Sequence, residues 1–284
     1  MDQQQLEKKG YAVFDFPDAS RLDGLHTYLT DLMKQKHNPH AEDQGFYFAS
    51  FDNATSLRQK IHDIVSAEMQ PFINENFPGY KALVANIILK EPGDKEVPLH
   101  QDWSFVDETQ YTSYAIWLPL EETTRENGGL YVMDGSHTWF RNYRSTRVNT
   151  RAIDVFPQVK QHLKFMDIKK GQGIVFNHQL LHYTPPNITD KNRLVVQTAI
   201  IPASLQPFFP YRESDEEDIT LYQVNDPFFL NEDIWEKPVK YPVHKIVPKT
   251  ENDEINIPAI KKNLRKQNLI RYYLNESRKS SNSL

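Results

Sequence analysis

His100 and Asp102 stand two positions apart in the segment VPLHQDWSFVDE (97–108) and pair a neutral nitrogen donor with an anionic oxygen. On a β-strand, residues i and i+2 point to the same face, so both side chains would aim into one space. Two such groups can begin a metal site but cannot complete it. A third donor must come from a distant stretch, and GIVFNHQLLHYTPPN offers two, His178 and His182. A lone histidine after an apolar strand reads by default as a core or surface residue, so both candidates stay open at this point.

Composition narrows the chemistry around that pair. The chain has no cysteine, which removes disulfides, thiolate zinc sites, iron–sulfur ligation and cysteine nucleophiles. A formal net charge of −5 over 284 residues supplies no global attraction to nucleic acid or to an anionic membrane. The opening stretch MDQQQLEKKGYAVFDF is polar, and no apolar run approaches the length of a membrane span. The expectation is a cytoplasmic globular protein without a signal peptide. Its 16 Phe, 14 Tyr and 4 Trp suit a packed core with an aromatic-lined pocket.

The elements that must position the pair are mostly strands. Residues 2–9, 20–36 and 56–76 read as helices; in the last, Leu57, Ile61, Ile64, Val65 and Met69 keep helical spacing. YAVFDF (11–16) reads as a strand. Strands then recur at 82–90, 97–103, 112–120, 128–133, 163–169, 173–178 and 193–201. KKGQG reads as a tight hairpin turn between the fifth and sixth of these. Seven short strands without crossover helices argue against a parallel doubly wound sheet. They predict a mainly β protein with a jelly-roll core over about 80–201, supported by N-terminal helices. Residues 203–250, rich in Pro, Phe and acid, read as long loops over one end of the sheet and close a single domain spanning 1–250. The remainder, 251–284, reads as a C-terminal helix and tail with seven basic residues between Lys261 and Lys279 against one acid, Glu276. A solvated face is its default reading and an acidic partner the other.

In order, LHQDW, ENGGLYVMDGSH and GQGIVFNHQLLHYTPPNITDKNR resemble the phytanoyl-CoA dioxygenase-like (PhyH) family of iron(II)/2-oxoglutarate oxygenases. That family shows an H-x-D, then a Gly-Gly/Gly-Ser-His stretch. A Gly-turn strand follows and ends in H-x-[S/T]-x-P-N, with an Arg some eleven residues beyond the His. The resemblance covers about residues 80–201 and extends to LEKKGYAVFDF. It implies a double-stranded β-helix, cupin-like core and selects His182 over His178 as the third ligand, followed by Thr184 and Asn187. His178 then becomes a hydrogen-bonding or surface residue and His137 of GSH a structural one.

What the resemblance implies chemically is a facial triad of His100, Asp102 and His182 on iron(II), with three positions open for 2-oxoglutarate and dioxygen. Turnover would yield succinate and CO2 and hydroxylate an unactivated C–H bond, with ascorbate keeping the iron reduced. Related halogenases replace the carboxylate by Gly or Ala; its presence as Asp102 favours hydroxylation, while desaturation and ring formation stay open to the same site. Arg193, eleven residues after His182, would hold the far carboxylate of 2-oxoglutarate through its planar fork. Thr184 could add a hydroxyl to the same carboxylate. Trp117 would wall that pocket, with sandwich core as its plain alternative, and Lys90 matches a family lysine before the Pro-Gly turn, in the 2-oxoglutarate pocket or else on the surface. Trp103 is a candidate for the substrate rim, although an ideal strand would point it away. Trp139, Arg141 and Arg144, past the Gly-Ser-His turn, could read a polar group on a small-molecule or peptide substrate. Two other classes remain: a non-redox cupin-like isomerase or hydrolase using zinc, and a non-catalytic binding module. Specificity is expected in the N-terminal helices, the 137–150 loop and the 203–250 region.

Overall fold

Thirteen strands form three antiparallel sheets in a computed structural model that describes residues 1–37, 45–148, 152–252 and 254–267. In chain order the first seven are β1 (Tyr11–Asp15), β2 (Tyr47–Phe48), β3 (Tyr80–Lys90), β4 (Val97–His100), β5 (Tyr114–Pro119), β6 (Tyr131–Val132) and β7 (Lys164–Phe165). The rest are β8 (Gln172–Asn177), β9 (His182–Thr184), β10 (Arg193–Pro202), β11 (Phe208–Tyr211), β12 (Ile219–Gln223) and β13 (Val243–Val247). A six-stranded sheet has the order β1-β8-β5-β10-β3-β2, and a four-stranded sheet the order β4-β9-β6-β7. Trp117, Ile174, Phe176 and Val195 of the first pack with Leu130, Val132 and Met166 of the second stretch. This is the jelly-roll core expected from the strand spacing, in the double-stranded β-helix, cupin-like form that the resemblance implies.

Period-2 alternation divides the central strands between two tasks. On β10, Leu194, Val196 and Ile200 join Ala85, Ile87 and Leu89 of β3 in the cluster beneath the helices. Their neighbours Arg193, Gln197 and Ala199, with Val84, Asn86 and Ile88, face the other way and line a cavity between the sheets. Three helices cover the outer face: α1 (Gln3–Lys9), α2 (Arg21–Leu32) and α3 (Thr55–Asn76). Along α3, Leu57, Ile61, Val65, Met69 and Ile73 repeat every four residues and are buried against that face. Each such side chain contributes about 1.5–3 kcal/mol by leaving water.

Two expectations require correction. KKGQG does make a tight turn, with Gln172 N–H donating to the Lys169 carbonyl at 2.9 Å and Gly171 at a φ of 88°. It joins no hairpin, because β7 pairs with β6 whereas β8 pairs with β1 and β5. The turn carries the chain from one sheet to the other. Residues 203–250 are also more ordered than long loops: β11, β12 and β13 form a third sheet. Its signal was masked by prolines such as Pro210, tolerated because β11 is an edge strand.

Residues 257–267 are helical, and Ile260 is fully buried with Met133, Phe140 and Leu181. The rest of the basic C-terminal stretch, 268–284, lies outside the described residues. Among the described residues no helix is long and apolar enough to cross a membrane.

Ile61 has no exposed surface and sits at the centre of the α3 face. Ile61→Ala is expected to cost about 2–5 kcal/mol, read as a lowered urea midpoint with an unchanged slope.

Candidate active site

Strand register brings the two distant histidines together. His100 at the end of β4 lies directly opposite His182 at the start of β9, and Val132 of β6 flanks His182 on the other side. Their ring centroids are 4.1 Å apart. Asp102 lies just beyond the strand end, since its N–H donates to the His178 carbonyl at 2.9 Å and not to the β9 ladder. Its Oδ1 is 3.6 Å from Nε2 of both His100 and His182. The ligand atoms of all three lie within 4.8 Å of one another.

The atoms behind these ligands fix which nitrogen is offered. His100 Nδ1 lies 2.7 Å from the Pro98 carbonyl, and His182 Nδ1 lies 2.9 Å from the Leu180 carbonyl. A carbonyl only accepts, so each ring carries its proton on Nδ1 and presents the Nε2 lone pair to the centre. Gln197 donates to Asp102 Oδ2 at 3.0 Å, which leaves Oδ1 for a metal. Burial alone would raise the Asp102 pKa. The surrounding His182, His100 and His178 imidazoles outweigh it and hold the carboxyl well below its usual range. Burial, reinforced by His100, pushes His182 down to about 4 against the pull of Asp102. Neutral imidazole beside ionised carboxylate is the protonation that metal binding requires.

The motifs read from the sequence have mechanical roles around this centre. The Asn187 amide donates to the carbonyls of Lys90 (3.0 Å) and Lys191 (2.7 Å), which pins the turn between His182 and Arg193. Ser136 Oγ accepts from Leu181 N–H at 2.8 Å and so steadies the entry to β9. His137 bonds the Glu7 carbonyl at 3.1 Å, a tie to α1. Gly128 has a φ of 86°, and a Cβ there would sit 2.9 Å from Lys90 Cδ.

A cavity of about 420 Å³ opens over the three ligands. Arg193, Thr184 and Trp117 line it, as does Trp103. Arg193 is 1% exposed, and none of its three guanidinium nitrogens has a hydrogen-bond partner. Burial lowers its pKa to about 10, opposed by Glu121 and Asp94, so it keeps its charge at neutral pH. Trp117 lies 5.8 Å from the guanidinium carbon. The Thr184 hydroxyl is likewise buried and unpartnered.

The remaining candidates lie elsewhere. Lys90 is opposite Arg193 across the β3–β10 pair, and its Nζ donates to the carbonyls of Thr184 (3.3 Å) and Pro185 (2.5 Å). It does not line the cavity. Burial and the neighbouring Arg193 push its pKa down to about 6 against Asp94 and Glu96. Trp139 packs in the cluster of Met133, Phe140 and Leu181, and Arg141 is exposed; neither reaches the cavity. The loop contributes Ser145 and Thr146 to the lining instead. Arg144 is fully buried, with Nε donating to the Asp102 carbonyl at 2.5 Å and Nη2 to Glu108 at 2.6 Å. Sequence reasoning passed over Gln197, Asn86, Phe48, Phe51 and Trp235. Gln197 and Asn86 did leave a signal: each interrupts an apolar strand, and they pair directly across β10 and β3.

Two facing antiparallel sheets with two imidazoles and a carboxylate gathered between them define a double-stranded β-helix protein whose inner face suits a divalent metal. Residues 6–195 match the family model for phytanoyl-CoA dioxygenase (PhyH), and the chain belongs to that family. A phytanoyl-CoA dioxygenase domain-containing protein 1 homolog of Dictyostelium discoideum is 30% identical over 146 residues, covering 49% of this chain and 50% of its own length. The 1-deoxypentalenic acid 11-beta-hydroxylase of Streptomyces arenae is 29% identical over 135 residues, covering 42% and 47%. The chain thus spans about half the length of the curated relatives it matches. Among solved structures, the non-heme alpha ketoglutarate dependent carbocyclase SnoK from nogalamycin biosynthesis superposes with a TM-score of 0.54. The identity is 14%, over 85% of this chain and 94% of that one, a likeness of fold.

Metal-free protein should lose stability as pH falls from about 6.5 towards 4. Burial pushes both His182 and His178 down to about 4 from an unfolded value of 6.5. In that window the unfolded chain binds more protons, so acid favours unfolding, and the contribution is complete only above 6.5. Urea midpoints at stepped pH check this, and a flat profile across the window would contradict it.

Proposed function

We propose that the chain is an iron(II)- and 2-oxoglutarate-dependent dioxygenase that hydroxylates an unactivated C–H bond of a small molecule. The balance is R–H + O2 + 2-oxoglutarate → R–OH + succinate + CO2. The observation that carries this reading is the Arg193 guanidinium, buried and unpartnered in the cavity that also holds the three ligand atoms. A permanent charge without a counterion is costly to bury, and an incoming dicarboxylate would relieve that cost. A zinc hydrolase or isomerase would leave Arg193 unexplained.

In this reading His100 and His182 offer Nε2 and Asp102 offers Oδ1 to the iron, while Gln197 keeps the second carboxylate oxygen turned away. Arg193 grips the far carboxylate of 2-oxoglutarate as a bidentate fork, and the Thr184 hydroxyl adds a hydrogen bond. Trp117, Leu130 and Ile88 exclude water from that end. Bound ferrous iron with its oxoacid supplies the redox chemistry and dioxygen activation that side chains lack. Lys90 acts from behind, holding the Thr184–Pro185 backbone in place. Residues 1–250 form the oxygenase domain in this reading, with the C-terminal helix docked upon it.

Purified protein with iron(II), 2-oxoglutarate and ascorbate in air should release succinate, and His182→Ala should abolish the release. Succinate formation that survives His182→Ala would refute the assignment of that ligand. Arg193→Gln should raise KM for 2-oxoglutarate by about tenfold or more, since hydrogen bonds to a charged group contribute about 1.5–3 kcal/mol. An unchanged KM would remove Arg193 from the co-substrate pocket.

A further inference from the structure

The end of the cavity away from Arg193 has no charge of its own to offer. Arg193 and Ala199 lie at opposite ends of the cavity-lining part of β10, with Gln197 and its hold on Asp102 between them. Beyond Gln197 the wall is aromatic. Phe51 contacts Phe48 at 5.0 Å, Trp235 at 5.4 Å and Trp103 at 6.1 Å between ring centroids. Phe105 continues the wall, 6.5 Å from Trp103 and 5.2 Å from the His178 ring. Apart from the histidines, the ionisable groups lining the cavity are Asp102 and Arg193. In the oxygenase reading the first would hold the metal and the second would be neutralised by the oxoacid. A charged substrate group entering here would be desolvated without compensation.

One polar group along this wall has a defined sense. His178 Nδ1 lies 2.8 Å from Ser113 Oγ, and the Ser113 hydroxyl is hydrogen-bonded to the Glu108 carboxylate. Burial raises the Glu108 pKa, opposed by its 2.6 Å pair with the fully buried Arg144 guanidinium; the form that pairs with that cation is the anion, which can only accept. Ser113 must give its single proton to Glu108 and accept from His178. The imidazole proton then sits on Nδ1, and Nε2 remains as a bare acceptor on a cavity-lining ring.

We infer that the primary substrate is an uncharged, largely apolar, ring-bearing molecule that sets a hydroxyl or N–H donor on His178 Nε2, an inference that rests on the oxygenase reading above. The wall is partly this chain's own. The family match ends at residue 195, whereas Trp235 belongs to the cover that follows. That cover is fastened to the cavity loop by the Thr146 hydroxyl, which donates to the Ile234 carbonyl. Arg58 of α3 donates to the Glu232 carbonyl at 3.1 Å from the other side. Trp235 is thus held against the pocket from two directions.

The test uses the anaerobic iron(II)–2-oxoglutarate protein and four probes with one ring system: 2-naphthaleneethanol, its methyl ether, 2-naphthylacetate and 2-(2-naphthyl)ethylammonium. Dissociation constants come from ligand-observed NMR, and the iron–oxoacid charge-transfer band is recorded in the same samples. The alcohol should bind about tenfold or more tighter than either charged probe and than the ether, which lacks only the donor. His178→Ala should erase the alcohol–ether difference, and His178→Gln, whose amide oxygen can accept, should retain part of it. With the band present, a charged probe that binds as tightly as the alcohol overturns the inference. So does a failure of the alcohol to bind, or an alcohol–ether difference that survives His178→Ala. A wild-type protein that shows no band overturns the oxygenase reading itself, and the substrate inference falls with it.

Discussion

A guanidinium buried without a partner is the constraint around which the rest of the molecule is arranged. Folding must desolvate Arg193, and no described side chain compensates it by a hydrogen bond. Such a cost of several kcal/mol is tolerable only where the surrounding fold over-determines the position. Here the over-determination is visible. Arg193 begins a ten-residue strand flanked on both sides, by β3 and β5, and its turn is locked by Asn187 to the backbone of Lys90. A strand paired on one side only could rotate the charge outward. A central strand cannot, because slipping it by one residue would turn Leu194 and Val196 out of the helix-facing core.

The same alternation makes stability and function inseparable in β3 and β10. The outward residues hold α3, and the inward residues are the cavity lining. Arg193, Gln197 and Ala199 therefore divide the cavity lengthwise into a cationic end, a middle that orients Asp102 and an aromatic end. The cluster of His100, Asp102 and His182 comes from the opposite sheet, where β4 and β9 are short and need outside support. Ser136 supports β9 at one end, and Arg144 holds the Asp102 carbonyl. A rigid sheet thus faces a sheet of short strands, and the chemistry lies between them.

Much of the site was legible in the sequence, for a physical reason. Strand faces repeat every two residues, so the shared direction of His100 and Asp102 was a sound first guess, even though Asp102 lies past the strand end. The choice between His178 and His182 depended on register, which one sequence does not display; it rested on the resemblance, and β4–β9 pairing sets His182 opposite His100. Trp139 and Arg141 were misjudged because nearness to a motif in sequence says little about the side of a loop on which a residue falls. Trp235 and Phe51 were invisible as pocket residues, since both are far in sequence from every ligand. The third sheet was missed because its strands are short and β11 carries Pro210, so its alternation is weak until pairing partners are known.

Gln197 shows how a buried polar residue can report function before any ligand is known. In RLVVQTAII an amide interrupts an apolar strand, where it lowers stability unless it is hydrogen-bonded. Across the ladder stands Asn86, a second amide in ALVANIILK, which accepts from Ser50 Oγ at 2.7 Å. Two amides opposite each other in a core sheet could simply bond to one another. Instead Gln197 reaches across to Asp102 and Asn86 is tied to the neighbouring Ser50, so each is turned away from the other and into the cavity wall. The two amides therefore serve different partners, and Gln197 fixes the orientation of a buried carboxylate so that its other oxygen, Oδ1, faces the Nε2 atoms of His100 and His182.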